Sequence, residues 1–192
     1  MLPKTFNNKT VAIFGLGIEG IDLLNYLYNE GANIKLYDQK SNDNIQSILD
    51  QFNKKQVEVY FGNVTESSIK DVQYAFVSQG IPLNSQQLEL IYKNNIPVAS
   101  MTSLFFERCT APIIGITGTS GKTTTTALVR SMLEQSNFDY VVGGNIGIGM
   151  LGLIKDITHD TKVIMELSHT QLQLVTSSPY IGCLTNVTPN HL

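Results

Sequence analysis

Gly115-Ile116-Thr117-Gly118-Thr119-Ser120-Gly121-Lys122-Thr123-Thr124 decides how this chain is read. The apolar, β-branched run Ile113–Thr117 in front of it has the character of a buried parallel strand. The segment behind it, from Lys122 to about Gln135, reads as a helix. A strand, a turn rich in glycine, then Lys-Thr opening a helix is the geometry that cradles phosphates. Glycines let backbone N–H groups converge on anionic oxygens, and the helix N-terminus adds a favourable dipole. In such a loop Gly118, Thr119, Ser120, Gly121, Lys122, Thr123 and Thr124 face the phosphates of ATP. Lys122 supplies a mobile charge for the outer phosphates, and the Thr123 hydroxyl is placed to ligate Mg²⁺. The usual G-x-x-x-x-G-K-[ST] pattern fails here, because Ile116 stands where its first glycine belongs. What remains is a shorter T-G-T-x-G-K-T-T.

Upstream, the strand-like run Thr10–Phe14 leads into Gly15-Leu16-Gly17-Ile18-Glu19-Gly20, a G-x-G-x-x-G that opens a second helix. Ile21, Leu24, Leu27 and Tyr28 are its expected apolar face, and Gly31 its stop. Asp38 ends the next strand, 18 residues past Gly20, where a carboxylate can bind a ribose hydroxyl. Taken alone, this motif indicates NAD or FAD, but an ATP loop following it argues otherwise, so it indicates a nucleotide diphosphate more securely than which nucleotide. Glu19 would repel that diphosphate unless its side chain turns to solvent. A helix at about Ile45–Asn53 and strands at Val57–Phe61, Tyr74–Val77 and Pro97–Ala99 continue the β-α-β alternation of a doubly wound parallel sheet.

The pattern restarts after a short helical bridge at Ser103–Arg108 and a linker at Thr110-Ala111-Pro112. Further strands are expected at Tyr140–Val142, Lys162–Glu166 and Gly182–Asn186. The fold class is therefore α/β: a Rossmann-like parallel-sheet domain over residues 1–108, then the first part of a P-loop α/β ATPase domain over 109–192. The second domain stops at His191-Leu192 without a closing helix, so the chain is expected to be the front part of a longer protein. An unpaired strand edge and exposed apolar surface should follow in that half.

Composition narrows the function. The chain has 192 residues, 42% hydrophobic and only 15% charged, with a formal net charge of −3. That excludes a basic nucleic-acid footprint and an acidic disordered tail. No apolar run reaches the length of a membrane span, and the N-terminus has no secretory pattern. Cys109 and Cys183, the two cysteines, lack metal-ligand spacing and fit a reduced, cytoplasmic protein.

Three further blocks fall at strand ends: Gly143-Gly144-Asn145-Ile146-Gly147, Glu166-Leu167-Ser168-His169-Thr170-Gln171-Leu172 and Asn186-Val187-Thr188-Pro189-Asn190-His191. With the phosphate loop, these occur in the order of the Mur ligase family, and the chain resembles that family over essentially its whole length. The resemblance is strongest to members that add D-glutamate. It implies ATP-dependent phosphorylation of the carboxylate of UDP-N-acetylmuramoyl-L-alanine in peptidoglycan precursor synthesis. The acyl phosphate is then attacked by the amine of D-glutamate, leaving an amide, ADP and phosphate.

Carried over by position, Lys122 holds the ATP phosphates, and Thr123, Glu166 and His191 lie at the metals. Lys122, Glu166 and His191 form the catalytic set. Asn145, Ser168 and Gln171 match positions at the sugar, phosphate or lactyl-alanyl part of the substrate. In the first domain the resemblance turns the glycine motif into a UDP site. Gly17, Ile18 and Glu19 line it, Asp38 and Gln39 lie by the uridine, and Ser78 and Gly80 stand on the opposite edge. Departures from the family pattern are His169-Thr170 for Ser-Phe and Gln79 for the proline of S-P-G, while Lys40 follows Gln39. The family's bridging lysine, adenine pocket and amino-acid domain would all lie beyond Leu192. A monomer is expected, without nucleic-acid or membrane partners. The alternatives are a sister ligase of the L-alanine-adding or folylpolyglutamate type, or a nucleotide-sugar-binding fragment without turnover.

Overall fold

The computed structural model describes residues 2–39, 43–147 and 149–189. The chain divides into two compact units, Met1–Met101 and Thr102–Leu192.

The first unit is built on β1 (Thr10–Phe14), whose residues Val11 to Phe14 are all 0% exposed. Burial on both faces is what a continuous apolar strand requires. β1 pairs in parallel with β2 (Asn33–Asp38) on one side and with β4 (Tyr74–Val77) on the other. β3 (Val57–Phe61) and β5 (Val98–Ala99) are the edges, giving the order β3-β2-β1-β4-β5. The order reverses between β1 and β4, and a crevice opens at such a switch point beyond the strands' carboxyl ends. One face of the sheet carries a ladder of rings in register. Phe14 stacks on Tyr37 with centroids 4.8 Å apart, and Tyr37 stacks on Tyr60 at 5.2 Å. Burial pushes the Tyr37 phenol up from its ordinary value, and its hydroxyl donates to the Ser68 carbonyl at 2.7 Å.

Helix α1 (Ile18–Asn29) follows β1 as expected, but its buried face differs by one residue at its start. The buried stripe is Gly20, Leu23, Leu24 and Leu27, whereas Ile21 and Tyr28 are only half-buried. The cause is Gly20: a Cβ there would lie 1.9 Å from the Gly15 carbonyl oxygen, so the glycine marks where helix and turn touch. Everything at i+3, i+4 and i+7 from it then faces the sheet. The helix ends in a Schellman motif, with Gly31 at φ +83° and Ala32 N–H donating to Leu27 O at 3.0 Å. Helix α2 (Asp43–Leu49) ends earlier than the expected Asn53, because bonds such as Phe52 N–H to Leu49 O tighten the chain into a turn. Two elements that the sequence reading did not assign complete the unit. They are α3 (Glu66–Ile69), closed by a Thr65/Ser68 capping box, and α4 (Gln86–Lys93).

The unit division falls at the start of α5 (Met101–Arg108), so this helix groups with the second unit and not with residues 1–108. Its Leu104, Phe105 and Phe106 are buried, and Phe106 shares a surface hollow with Pro179 and Tyr180. The second sheet is wholly parallel, in the order β7-β8-β6-β9. β6 (Ile113–Thr117) and β8 (Lys162–Glu166) are central, with β7 (Tyr140–Gly144) and β9 (Ile181–Leu184) outside. α6 (Lys122–Gln135) connects β6 to β7, a 3-10 turn spans Leu151–Asp156, and α7 (His169–Leu172) follows β8. The expected apolar surface is present: Ile181 and Leu184 on edge strand β9, and Leu128 and Met132 on α6, are half or more exposed.

Candidate functional site

In the first unit the switch point carries a cleft of about 520 Å³, lined by the loops after β1, β2, β3 and β4 and by the start of α4. The loops are tied together across it. Asp38 accepts Leu16 N–H at 2.8 Å, Ser78 donates its hydroxyl to Gly15 O at 2.8 Å, and Glu19 accepts Gln79 N–H at 2.8 Å. The Glu19 carboxylate is therefore half-buried against a backbone amide of the opposite loop and not turned to solvent. Gly17 differs from Gly20. A Cβ at Gly17 would meet nothing within 4 Å, so this glycine leaves open space at the cleft while its neighbour closes a backbone contact. Gly17, Asp38, Gln39, Ser78 and Gly80 all line the cleft, whereas Ile18 projects 59% exposed at the helix start. Asn63, Ser85, Gln86 and Gln87 line it too, and sequence reasoning had not singled them out. Asn63 follows an edge strand and the others open an unassigned helix, so nothing local marked them.

In the second unit the phosphate loop joins β6 to α6. Gly121 is the N-cap of α6 at φ +84°, and Thr125 N–H to Gly121 O (2.9 Å) is the first helical bond. The amides before Thr125 have no acceptor within the helix and form the donor ring an anion uses. The Lys122 ammonium curls back over the loop, donating to Gly118 O at 2.8 Å and Thr119 O at 3.2 Å. Thr123 and Thr124 are exposed on the first turn.

Glu166 ends β8 opposite Ile116, the residue just before the loop's Thr117. It is 2% exposed. One carboxylate oxygen accepts Asn145 Nδ2 at 3.1 Å, and the other has no hydrogen-bond partner among the described residues. Leaving a carboxylate oxygen buried and unmatched is costly, and a hard cation such as Mg²⁺ is the natural complement. Among the described residues no three His, Cys, Asp or Glu side chains converge.

Asn145 donates its backbone N–H to Glu166 O at 2.8 Å, so the β7 and β8 ends meet. Ser168 and Gln171 form a reciprocal capping box. Ser168 Oγ accepts Gln171 N–H (3.2 Å), and Gln171 Oε1 accepts Ser168 N–H (2.9 Å). These two side chains thus fix the turn that follows Glu166. His191 lies outside the described residues.

Sequence reasoning also missed a strut. Thr185, Asn186 and Thr188, after β9, hydrogen-bond to Thr117, Thr119 and Ser120 of the phosphate loop. The partners are 65 or more residues apart in sequence, and only the parallel pairing of β6 with β9 brings them together.

Comparison with known proteins gives the following. Residues 9–100 match the model of the Mur ligase MurD-like N-terminal domain, and residues 116–192 match that of the Mur ligase middle domain. The UDP-N-acetylmuramoylalanine--D-glutamate ligase of Acetivibrio thermocellus is 36% identical over 98% of this chain and 41% of its own length. The protein of the same name from Clostridium acetobutylicum is 33% identical over 98% and 41%. The chain thus spans about two fifths of the length of these curated relatives. Among solved structures, a UDP-N-acetylmuramate:L-alanyl-gamma-D-glutamyl-meso-diaminopimelate ligase from Neisseria meningitides superposes with a TM-score of 0.54 at 14% identity, over 96% of this chain and 62% of the other. The UDP-N-acetylmuramate-alanine ligase of Thermotoga maritima gives 0.52 at 17%, over 96% and 42%. Both share the fold.

Proposed function

Since the chain belongs to the Mur ligase family and carries its N-terminal and middle domains, we propose that it serves the ATP-dependent addition of D-glutamate to UDP-N-acetylmuramoyl-L-alanine. The observation that carries this reading is the 36% identity to a D-glutamate ligase over 98% of this chain, a span that includes both candidate sites. In this reading the first unit is the UDP-substrate domain and the second is the front of the ATP-binding domain.

The cleft holds the UDP end. Gly17 leaves clearance for the diphosphate, Asp38 and Gln39 flank the uridine, and Ser78 and Gly80 form the facing edge. Glu19, engaged by Gln79 N–H, is not among the residues that line the cleft. In the second unit the loop amides and Lys122 take the outer phosphates of ATP, the ammonium moving from loop carbonyls to phosphate oxygens. A carboxylate is a poor electrophile, and transfer of the terminal phosphoryl group makes it an acyl phosphate with a good leaving group. The amine of D-glutamate then attacks the carbonyl carbon and phosphate departs. Two anions must meet in the first step, so cations are needed to mask their repulsion. Glu166 and Thr123, with His191, would hold Mg²⁺, which supplies part of that masking. Asn145 keeps the Glu166 carboxylate oriented, and Ser168 and Gln171 shape the turn beside the acceptor substrate.

Titration of the chain with UDP, NAD and Mg-ATP, followed calorimetrically, tests the reading. UDP should bind more tightly than NAD, and Mg-ATP should bind independently of UDP. Tighter binding of NAD, or a chain that ignores both Mg-ATP and pyrophosphate, would sink it.

A further inference from the structure

The strut after β9 grips one residue of the phosphate loop with unusual completeness. Asn186 Oδ1 accepts the Ser120 N–H at 3.1 Å, and Asn186 Nδ2 donates to the Ser120 carbonyl at 3.2 Å. A single side-chain amide therefore pairs with both backbone groups of Ser120, as a neighbouring strand would. Only a primary amide offers a donor and an acceptor in that arrangement. Around it, Thr119 N–H donates to Asn186 O (3.0 Å), and the Thr185 hydroxyl donates to Ser120 O (2.6 Å). Thr119 and Thr188 exchange a second pair: the Thr119 hydroxyl donates to Thr188 O at 3.2 Å and accepts Thr188 N–H at 3.1 Å. The approach is so close that a Cβ on Gly118 would stand 2.1 Å from Thr185 Oγ1 and 3.0 Å from Asn186 N and O.

We propose that Asn186 is a positioning residue for phosphate binding. Its side-chain amide holds Ser120 in the one conformation that lets the amides after Gly121 and the Lys122 ammonium converge on an anion. The inference rests on the reading that this loop holds phosphates. Its logic is preorganisation. Gly118 (φ +140°) and Gly121 (φ +84°) both occupy backbone regions open mainly to glycine, and glycine loops have many other conformations. A loop fixed before the ligand arrives spares the ordering that would otherwise weaken binding.

Two substitutions separate positioning from mere stability. Asn186→Ala removes both bonds to Ser120. Asn186→Asp keeps an acceptor for the Ser120 N–H, sets its second oxygen against the Ser120 carbonyl, and adds a negative charge beside the anion site. Pyrophosphate and UDP serve as probes of the second and first units, with amide exchange at Ser120 read by NMR. Asn186→Ala should weaken pyrophosphate about tenfold, the effect of losing two modest hydrogen bonds, leave UDP unchanged, and speed Ser120 exchange. Asn186→Asp should weaken pyrophosphate by roughly a further tenfold through charge, yet retain slow Ser120 exchange. Unchanged pyrophosphate affinity in both variants, or losses that track UDP, would overturn the proposal. A wild-type chain that ignores pyrophosphate would refute the phosphate reading instead. The grip itself would then stand or fall on whether Ser120 exchange accelerates in Asn186→Ala.

Discussion

Replacing Gly20 and Gly17 by alanine, one at a time, separates the two jobs of the first glycine motif. At Gly20 the new methyl group would start 1.9 Å from Gly15 O, 2.9 Å from Gly15 C and 3.0 Å from Ser78 Oγ. Real Cβ atoms do not approach backbone within 3 Å, so the turn and the helix must separate by about 1 Å, an overpacking cost of roughly 1–3 kcal/mol. The bond from Ser78 Oγ to Gly15 O, 2.8 Å long, would be strained or lost for about 1 kcal/mol more. Alanine's better helix propensity returns up to about 1 kcal/mol. The net expectation is a loss of ~2 kcal/mol.

At Gly17 nothing lies within 4 Å of the new Cβ and φ is −71°. The poorer N-cap and the stiffer unfolded chain roughly cancel, so stability should change by less than about 0.5 kcal/mol. UDP binding should nevertheless fall at least about tenfold, as the methyl enters the space the diphosphate needs. Urea unfolding followed by circular dichroism, with calorimetric UDP titration, measures both. If Gly20→Ala unfolds no more easily than Gly17→Ala, or if Gly17→Ala binds UDP normally, the division of labour between the two glycines is wrong.

Three other outcomes follow from the geometry. Glu166→Gln removes a buried charge with one unmatched oxygen and can keep the Asn145 bond. It should raise the unfolding midpoint of the chain by thermal denaturation while abolishing the Mg²⁺ dependence of ATP binding. Lys122→Met should weaken Mg-ATP about 100-fold or more by calorimetry and leave UDP affinity unchanged. Tyr60 donates to Glu58 at 2.6 Å, and that bond, followed by burial, pushes its phenol up to about 12. A pKa raised above the unfolded value near 10 contributes stability that is complete below pH ~10 and lost as pH climbs towards ~12. Urea midpoints should therefore fall between pH 9.5 and 11.5 in roughly that window, and Tyr60→Phe should flatten the fall.

Most of the architecture was legible because its elements carry local signals. Thr10–Phe14 and Ile113–Thr117 are uninterrupted apolar strands, and each glycine turn announces the helix behind it. α4 lacked such a signal, since Gln86-Gln87 open it and Leu88 and Ile91 alone are buried in it. The face of α1 was misread by one position because apolar side chains stand at both Ile21 and Leu23. What decided between them was Gly20 against Gly15, a contact made by an absent side chain. The candidate sites divide similarly. Lys122 and Glu166 stood out by motif, whereas Asn186 was legible only as the end of an expected strand and not as a partner of the loop it hydrogen-bonds. No spacing rule links Asn186 to Ser120, because β6 and β9 become neighbours only once the sheet is assembled.

The strut also sets an order of events during synthesis. Ser120 leaves the ribosome 66 residues before Asn186, an interval on the order of 3 to 13 seconds at ordinary elongation rates. Throughout it the first unit is already complete, while the phosphate loop lacks Asn186, Thr185 and Thr188. In that window every residue lining the switch-point cleft has been made, while the loop still lacks its strut. The first unit's cleft is therefore complete first, and the loop before α6 is braced only when the strand that follows it arrives.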